Sequence, residues 1–211
     1  MEKIKFEIKN KIGYIKLSAP PKNEMDVAFF KDLSIIIDKV EQNKELIGLI
    51  ISSTGRHFSS GANIDELLSF FNKSTDIFPK ELKGNNTILL KISKLEKPVV
   101  ACIKGICYGS ATELALSAHF RISEPSSRFS LPESSFGLIP GLGGMYHSQK
   151  TMGKAQALQF ILAEQSLTAD KALNMGLIDF LVEKNKAIAR AEELILKINE
   201  DYRKELKPLY L

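Results

Sequence analysis

Tryptophan is absent from the 211 residues, and cysteine occurs only as Cys102 and Cys107. Two thiols in apolar or tight-turn sequence supply neither a disulfide framework nor a zinc site, and they read as reduced thiols. No metal site is expected. No apolar run approaches the ~20 residues needed to span a bilayer. The start, MEKIKFEIKN, alternates charged and apolar residues without the apolar centre of a secretory signal. No five basic residues are consecutive, and 29 basic against 25 acidic residues leave a net charge of only +4. That field is too weak to argue for nucleic acid, although it suits an anionic small molecule. Low-complexity tracts, tandem repeats and an obvious interdomain linker are also missing. These absences leave a cytoplasmic protein with no membrane and no nucleic acid as partner.

What is present suffices for one core: 44% of the residues are hydrophobic, and single cores serve chains of up to ~250–300 residues. Ile4, Phe6 and Ile8, then Ile12 and Tyr14, alternate with polar residues around Asn10-Lys11, which predicts an antiparallel hairpin. Pro20-Pro21 breaks it. Phe29, Phe30, Leu33, Ile36, Ile37 and Val40 recur at helical spacing behind Asp26, a suitable N-cap. LIGLIIS and PVVACI are solidly apolar, as strands buried on both faces are. Each leads into a loop of small residues. Residues 85–94 read as helix, and 71–84, with Pro79 and Gly84, as a loop or a short broken helix. Short strand-like pieces fall in 120–139. Thr168 caps a helix stopping near Gly176, and a last amphipathic helix runs from about Asn185.

The two loops are Phe58-Ser59-Ser60-Gly61-Ala62 and Gly109-Ser110-Ala111-Thr112. Small side chains permit close approach of a backbone or ligand. Unpaired amides at a helix start carry partial positive charge, and two converging on one point would form an oxyanion hole. Two tight turns without a ligand are the plain alternative. Two carboxylates follow: Glu113 in the apolar helix ELALSAHF, and Glu133 behind Pro132 in RFSLPESSFGLIPG. Burying either is costly unless it is paired or functional. Glu113 could instead favour its helix N-terminus, and Glu133 could be a solvated loop residue.

HFSSGANIDEL resembles the first signature of the crotonase superfamily, the enoyl-CoA hydratase/isomerase family. KPVVACIKGICYGSATELALSAHFRISEPSSRFSLPESSFGLIPGLGG resembles its long second signature, and QSLTADKALNMGLIDFLV a downstream segment. The resemblance covers roughly residues 1–198, in the family's order. It implies an α/β fold: a crotonase-like spiral of repeated ββα units with C-terminal helices. By that division residues 1–183 are the crotonase-like core and 184–211 a C-terminal helical segment, shorter than usual because the chain stops at Leu211.

The resemblance further implies an acyl-CoA substrate whose thioester carbonyl is held by two backbone N–H groups, at Ser60 and Ser110 by motif position. Glu113 and Glu133, 133 − 113 = 20 residues apart, fall on the two catalytic glutamate positions of hydratases; isomerases of the family often lack the first. The implied reaction is addition of water to a 2-enoyl-CoA. Glu113 acts as base on the water and Glu133 delivers the proton at Cα. No cofactor is required, coenzyme A being part of the substrate. Arg56, Ser59, Gly61, Ala62, Ile64, Tyr108 and Gly109 are expected to line the coenzyme A and substrate site. Gly141, Gly143 and Gly144 are expected to shape the wall near Glu133. His57, His119 and His147 are expected to be structural or exposed. A homo-oligomer, trimer or hexamer, is expected. Isomerase, decarboxylase or thioester hydrolase activity, or a degenerate non-catalytic subunit, are the alternatives within the family. Ser110-Ala111, where many hydratases have glycines, should narrow the space beside the thioester.

Overall fold

The computed structural model describes residues 3–66, 77–162 and 166–206. Strand β1 (Ile4–Lys9) and strand β2 (Ile12–Leu17) form the expected antiparallel hairpin. Asn10 and Lys11 both take positive φ at its two-residue turn, the geometry that matches strand twist. Asp26 caps helix α1 (Val27–Gln42), its side chain accepting the Phe29 N–H. All six apolar positions read from the spacing are buried.

Strand β3 (Gly48–Ser53) and strand β4 (Val99–Ile103) follow in parallel, every residue buried. Between them, helix α2 spans Ile77–Ser93. This corrects the loop reading for 77–84; residues 71–76 of that reading lie outside the described residues. Pro79 falls in the first helical turn, where a missing N–H costs no hydrogen bond. Gly84 in a helix interior costs only about 1 kcal/mol.

The chain then alternates between two sheets. Strand β5 (Ile106–Tyr108) leads into helix α3 (Ser110–Ser117). Strands β6 (Phe120–Ser123) and β7 (Arg128–Ser130) follow, and then a 3-10 helix, Pro132–Phe136. Helices α4 (Gly144–Met152) and α5 (Lys154–Ile161) come next. Strand β8 (Leu167–Thr168), helix α6 (Ala169–Asn174), strand β9 (Phe180–Leu181) and helix α7 (Ala187–Leu206) complete the order. One sheet runs β1-β2-β3-β4-β6-β9 and the other β5-β7-β8. From β4 onward the strands are thus shared between the sheets, β4, β6 and β9 going to the large one and β5, β7 and β8 to the small one, as in the expected spiral. An isolated bridge between Ser59 and Cys107 ties the first loop to the second sheet.

Both faces of the large sheet are covered, which is why β3 and β4 lack alternation. Leu49, Ile51, Val99 and Ala101 join α1, α2 and α3 in the main core. Ile50, Val100, Cys102 and Ile122 on the opposite face pack against Ala187, Ala191 and Ile195 of α7. Tyr14 Oη donates to Glu192 at 2.7 Å across that contact. No helix among the described residues is long and apolar enough to cross a membrane.

Candidate active site

The backbone amides of the first loop are almost all committed. Phe58 N–H donates to the Lys104 carbonyl at 2.8 Å, Ser59 to Ile106 at 3.0 Å, Ser60 to Lys22 at 2.9 Å and Asn63 to Met25 at 3.1 Å. Gly61 N–H donates to Ser59 Oγ at 3.0 Å. Ala62 N–H alone in this stretch donates to no group among the described residues. The second loop has the same pattern. Tyr108 N–H donates to Ser59 at 3.2 Å, Gly109 to Ser130 at 2.9 Å and Glu113 to Gly109 at 3.0 Å. Ser110 opens α3, where the first amides have no acceptor within the helix.

These two uncommitted amides are neighbours. A Cβ on Gly61, whose φ is +94°, would lie 2.5 Å from the Tyr108 carbonyl oxygen and 3.5 Å from the Ser110 nitrogen. Only glycine admits that approach and that backbone. The assignment of Ser60 as a donor is therefore corrected. Its N–H is spent on Lys22, a partner 38 positions upstream, and the free amide beside Ser110 belongs to Ala62.

Glu113 is 1% exposed. Its Oε1 accepts N–H bonds from Leu142 at 2.7 Å and Gly144 at 2.9 Å. Burial, reinforced by the charge of Glu133, pushes its carboxyl from 4.5 to about 7, although the two amides pull the other way. Burial also raises Glu133. Its Oε2 is buried without a hydrogen-bond partner, an atom that calls for a donor such as water or a proton of its own. Glu133 is close enough for its charge to act on Glu113, and Gly109 lies between the two elements that carry them. The Gly109 carbonyl accepts the Glu113 amide, and a Cβ on Gly109, φ +52°, would sit 3.2 Å from Glu133 Oε1.

The glycine-rich turn serves Glu113 more than Glu133, which revises the expected wall. A Cβ on Gly144 would lie 2.8 Å from Glu113 Oε1, and one on Gly141 would lie 2.7 Å from Leu82 Cδ1. Gly143 takes φ +98°.

A groove of about 350 Å³ opens beside Ala62, lined by Ser60, Ala62 and Ile64 of the first loop and by Lys22 and His57 among others. Ser59, expected to touch substrate, is fully buried, and its Oγ holds the Gly61 amide, so it shapes the loop instead. Gly61 and Gly109 are likewise buried and act by letting other groups approach. Arg56 is exposed and is not among the residues lining the groove. Tyr108 is half-buried, with its carbonyl against Gly61. The histidines hold structure: His57 Nδ1 accepts the Ile106 amide at 3.1 Å and His119 Nδ1 the Val99 amide at 3.0 Å. His147 is buried against Gly143. Lys22 at the groove was not singled out in the sequence; only the fold brings it beside Ala62.

The chain belongs to the enoyl-CoA hydratase/isomerase family, whose sequence model matches residues 7–210. A short-chain-enoyl-CoA hydratase of Clostridium acetobutylicum is 29% identical over 197 residues, 92% of this chain and 74% of that protein. The solved enoyl-CoA hydratase of Thermoplasma volcanium is 30% identical, with a TM-score of 0.86 over 95% of this chain and 78% of that one. The enoyl-CoA hydratase of Bacillus anthracis is 25% identical, also with a TM-score of 0.86, over 93% of this chain and 76% of that one.

Proposed function

We propose that this chain hydrates 2-enoyl-CoA thioesters, with Glu113 and Glu133 as the acid–base pair and the Ala62 and Ser110 amides as the oxyanion hole. The observation that carries this reading is the buried Glu113 carboxyl within reach of the charge of half-buried Glu133, whose Oε1 lies 3.2 Å from a Cβ built on Gly109, one residue from the free Ser110 amide. Ionised Glu113 takes a proton from water as the water oxygen bonds to Cβ. The electron pair of the double bond moves to Cα and onto the thioester oxygen, where the two amides stabilise the charge. Each donor is worth about 3–4 kcal/mol. Protonated Glu133 then delivers its proton to Cα, and the carboxyls exchange one proton to reset. Burial and the charge of Glu133 oppose ionisation of Glu113, so the two carboxyls hold one proton between them; within that shared-proton state the two amide donors favour ionised Glu113 and the unpartnered oxygen of Glu133 favours the protonated form.

This chemistry needs only acid, base and amide donors, so the reading includes no metal or redox cofactor. Lys22 at the groove, together with exposed Arg56 two residues before the first loop, would face the phosphates of coenzyme A. Exposed Phe136, Ile139, Tyr146 and Leu162 would be covered in a homo-oligomer in the cytoplasm. The test is a substrate panel. Crotonyl-CoA should lose its conjugated-enoyl absorbance and yield 3-hydroxybutyryl-CoA. Turnover of 3-enoyl-CoA alone, or release of free coenzyme A alone, would refute hydration.

A further inference from the structure

Glu113 owes its orientation to a turn that has little to hold itself in place. Gly141, Gly143 and Gly144 make three of the five residues from Pro140 to Gly144, and glycine gives up the most backbone freedom on ordering. Yet the Leu142 and Gly144 amides of this turn must both point at Glu113 Oε1, at 2.7 and 2.9 Å. Ties from outside therefore matter. Two come from α2. The Leu82 side chain packs where a Cβ on Gly141 would be, 2.7 Å away. Asn86 Nδ2 donates to the Gly141 carbonyl oxygen at 3.1 Å, and lies 4.0 Å from the position of a Cβ on Gly143. Of these two ties from α2, Leu82 fills space and Asn86 adds a directional bond. Asn86 is half-buried, so water competes with it only in part.

We propose that Asn86 is a positioning residue for catalysis: by anchoring the Gly141 carbonyl it keeps the Leu142 and Gly144 amides aimed at the Glu113 carboxylate. The inference rests on the reading of Glu113 as the base. A peptide unit that rotates about Gly141 carries the following amide with it, so a released carbonyl turns the Leu142 N–H away first. Those amides favour ionised Glu113. Their loss therefore raises the pH at which the base becomes available. Glu133 on the 3-10 helix and His147 on α4 face the same region, and the Asn86 substitutions leave both residues themselves unchanged.

The test measures kcat and KM for crotonyl-CoA hydration between about pH 5.5 and 9. Wild type, Asn86→Ala, Asn86→Gln and Glu113→Gln are compared, each shown to be folded by its urea transition. Asn86→Ala should lower kcat about tenfold with KM changed less than about twofold, because substrate binding is untouched. Its acidic limb should move to higher pH by about half a unit or more. Asn86→Gln, which keeps an amide donor, should restore part of both. If Glu113→Gln abolishes turnover while Asn86→Ala leaves the limb in place, the positioning role is overturned and Glu113 stands. If Glu113→Gln turns over like wild type, the reading of Glu113 fails, and the role of Asn86 with it. A fall in stability without a moved limb would make Asn86 structural only, which also overturns the proposal.

Discussion

Glu113→Gln should make the protein more stable while removing its activity, because the buried carboxyl is held against its preference. Its ionisation moves from 4.5 in the ordinary case to about 7 in the fold. One unit of pKa corresponds to about 1.4 kcal/mol, so ionising Glu113 in place costs the fold about 3 kcal/mol. The sign follows from linkage. Below pH 4.5 the carboxyl is protonated both folded and unfolded and contributes no penalty. Between 4.5 and 7 the unfolded chain releases the proton while the folded chain keeps it, and stability falls as pH rises. Above 7 both are ionised and the full penalty stands. Glutamine keeps the shape and an oxygen acceptor for the Leu142 and Gly144 amides, but has no proton to release. Part of the penalty is repulsion from Glu133, and a neutral acceptor binds amides less strongly, so a net gain of about 2 kcal/mol is the realistic expectation. Urea unfolding at pH 5 and at pH 8 reads it. The gap between variant and wild type should be small at the lower pH and open at the higher one. A gap equal at both, or a variant less stable at pH 8, would refute the claim that Glu113 carries a strained charge.

Gly144→Ala should place a methyl group 2.8 Å from Glu113 Oε1, costing about 1–3 kcal/mol of stability and, by displacing the carboxyl, about 100-fold in kcat; steady-state hydration and urea unfolding measure both. Replacing the residue-62 amide with an ester, by incorporating lactate for Ala62, deletes one N–H and should lower kcat about 100- to 1,000-fold. The same exchange at Ser60 breaks its bond to Lys22, so it should lower stability by about 1 kcal/mol and cost far less in kcat. Tyr14→Phe removes the 2.7 Å bond to Glu192 at the back of the sheet and should cost about 1 kcal/mol, read by thermal unfolding, with kcat unchanged.

The elements that were legible in the sequence are those whose signal is local. Asn10-Lys11 marked the first turn, Asp26 and Thr168 marked helix starts, and the unbroken apolar runs of β3 and β4 announced burial on both faces. The pairing of Glu113 with Glu133 came from a motif and its spacing. What escaped was decided by partners distant in the chain. Lys22 takes the Ser60 amide, so which loop residue keeps a free N–H cannot be read from the loop itself. The tie from Asn86 to Gly141, 55 positions apart, leaves no trace in local periodicity. Pro79 and Gly84 read as breakers because their position within α2 was not known.

A crystal structure with acetoacetyl-CoA bound, a thioester that lacks the double bond to be hydrated, would probe the central claim most directly. The thioester oxygen should lie within about 3.2 Å of both the Ala62 and the Ser110 nitrogens, with the Glu113 and Glu133 carboxyls facing Cβ and Cα. An oxygen bound to any other donor pair, or reacting carbons out of reach of both carboxyls, would contradict the account.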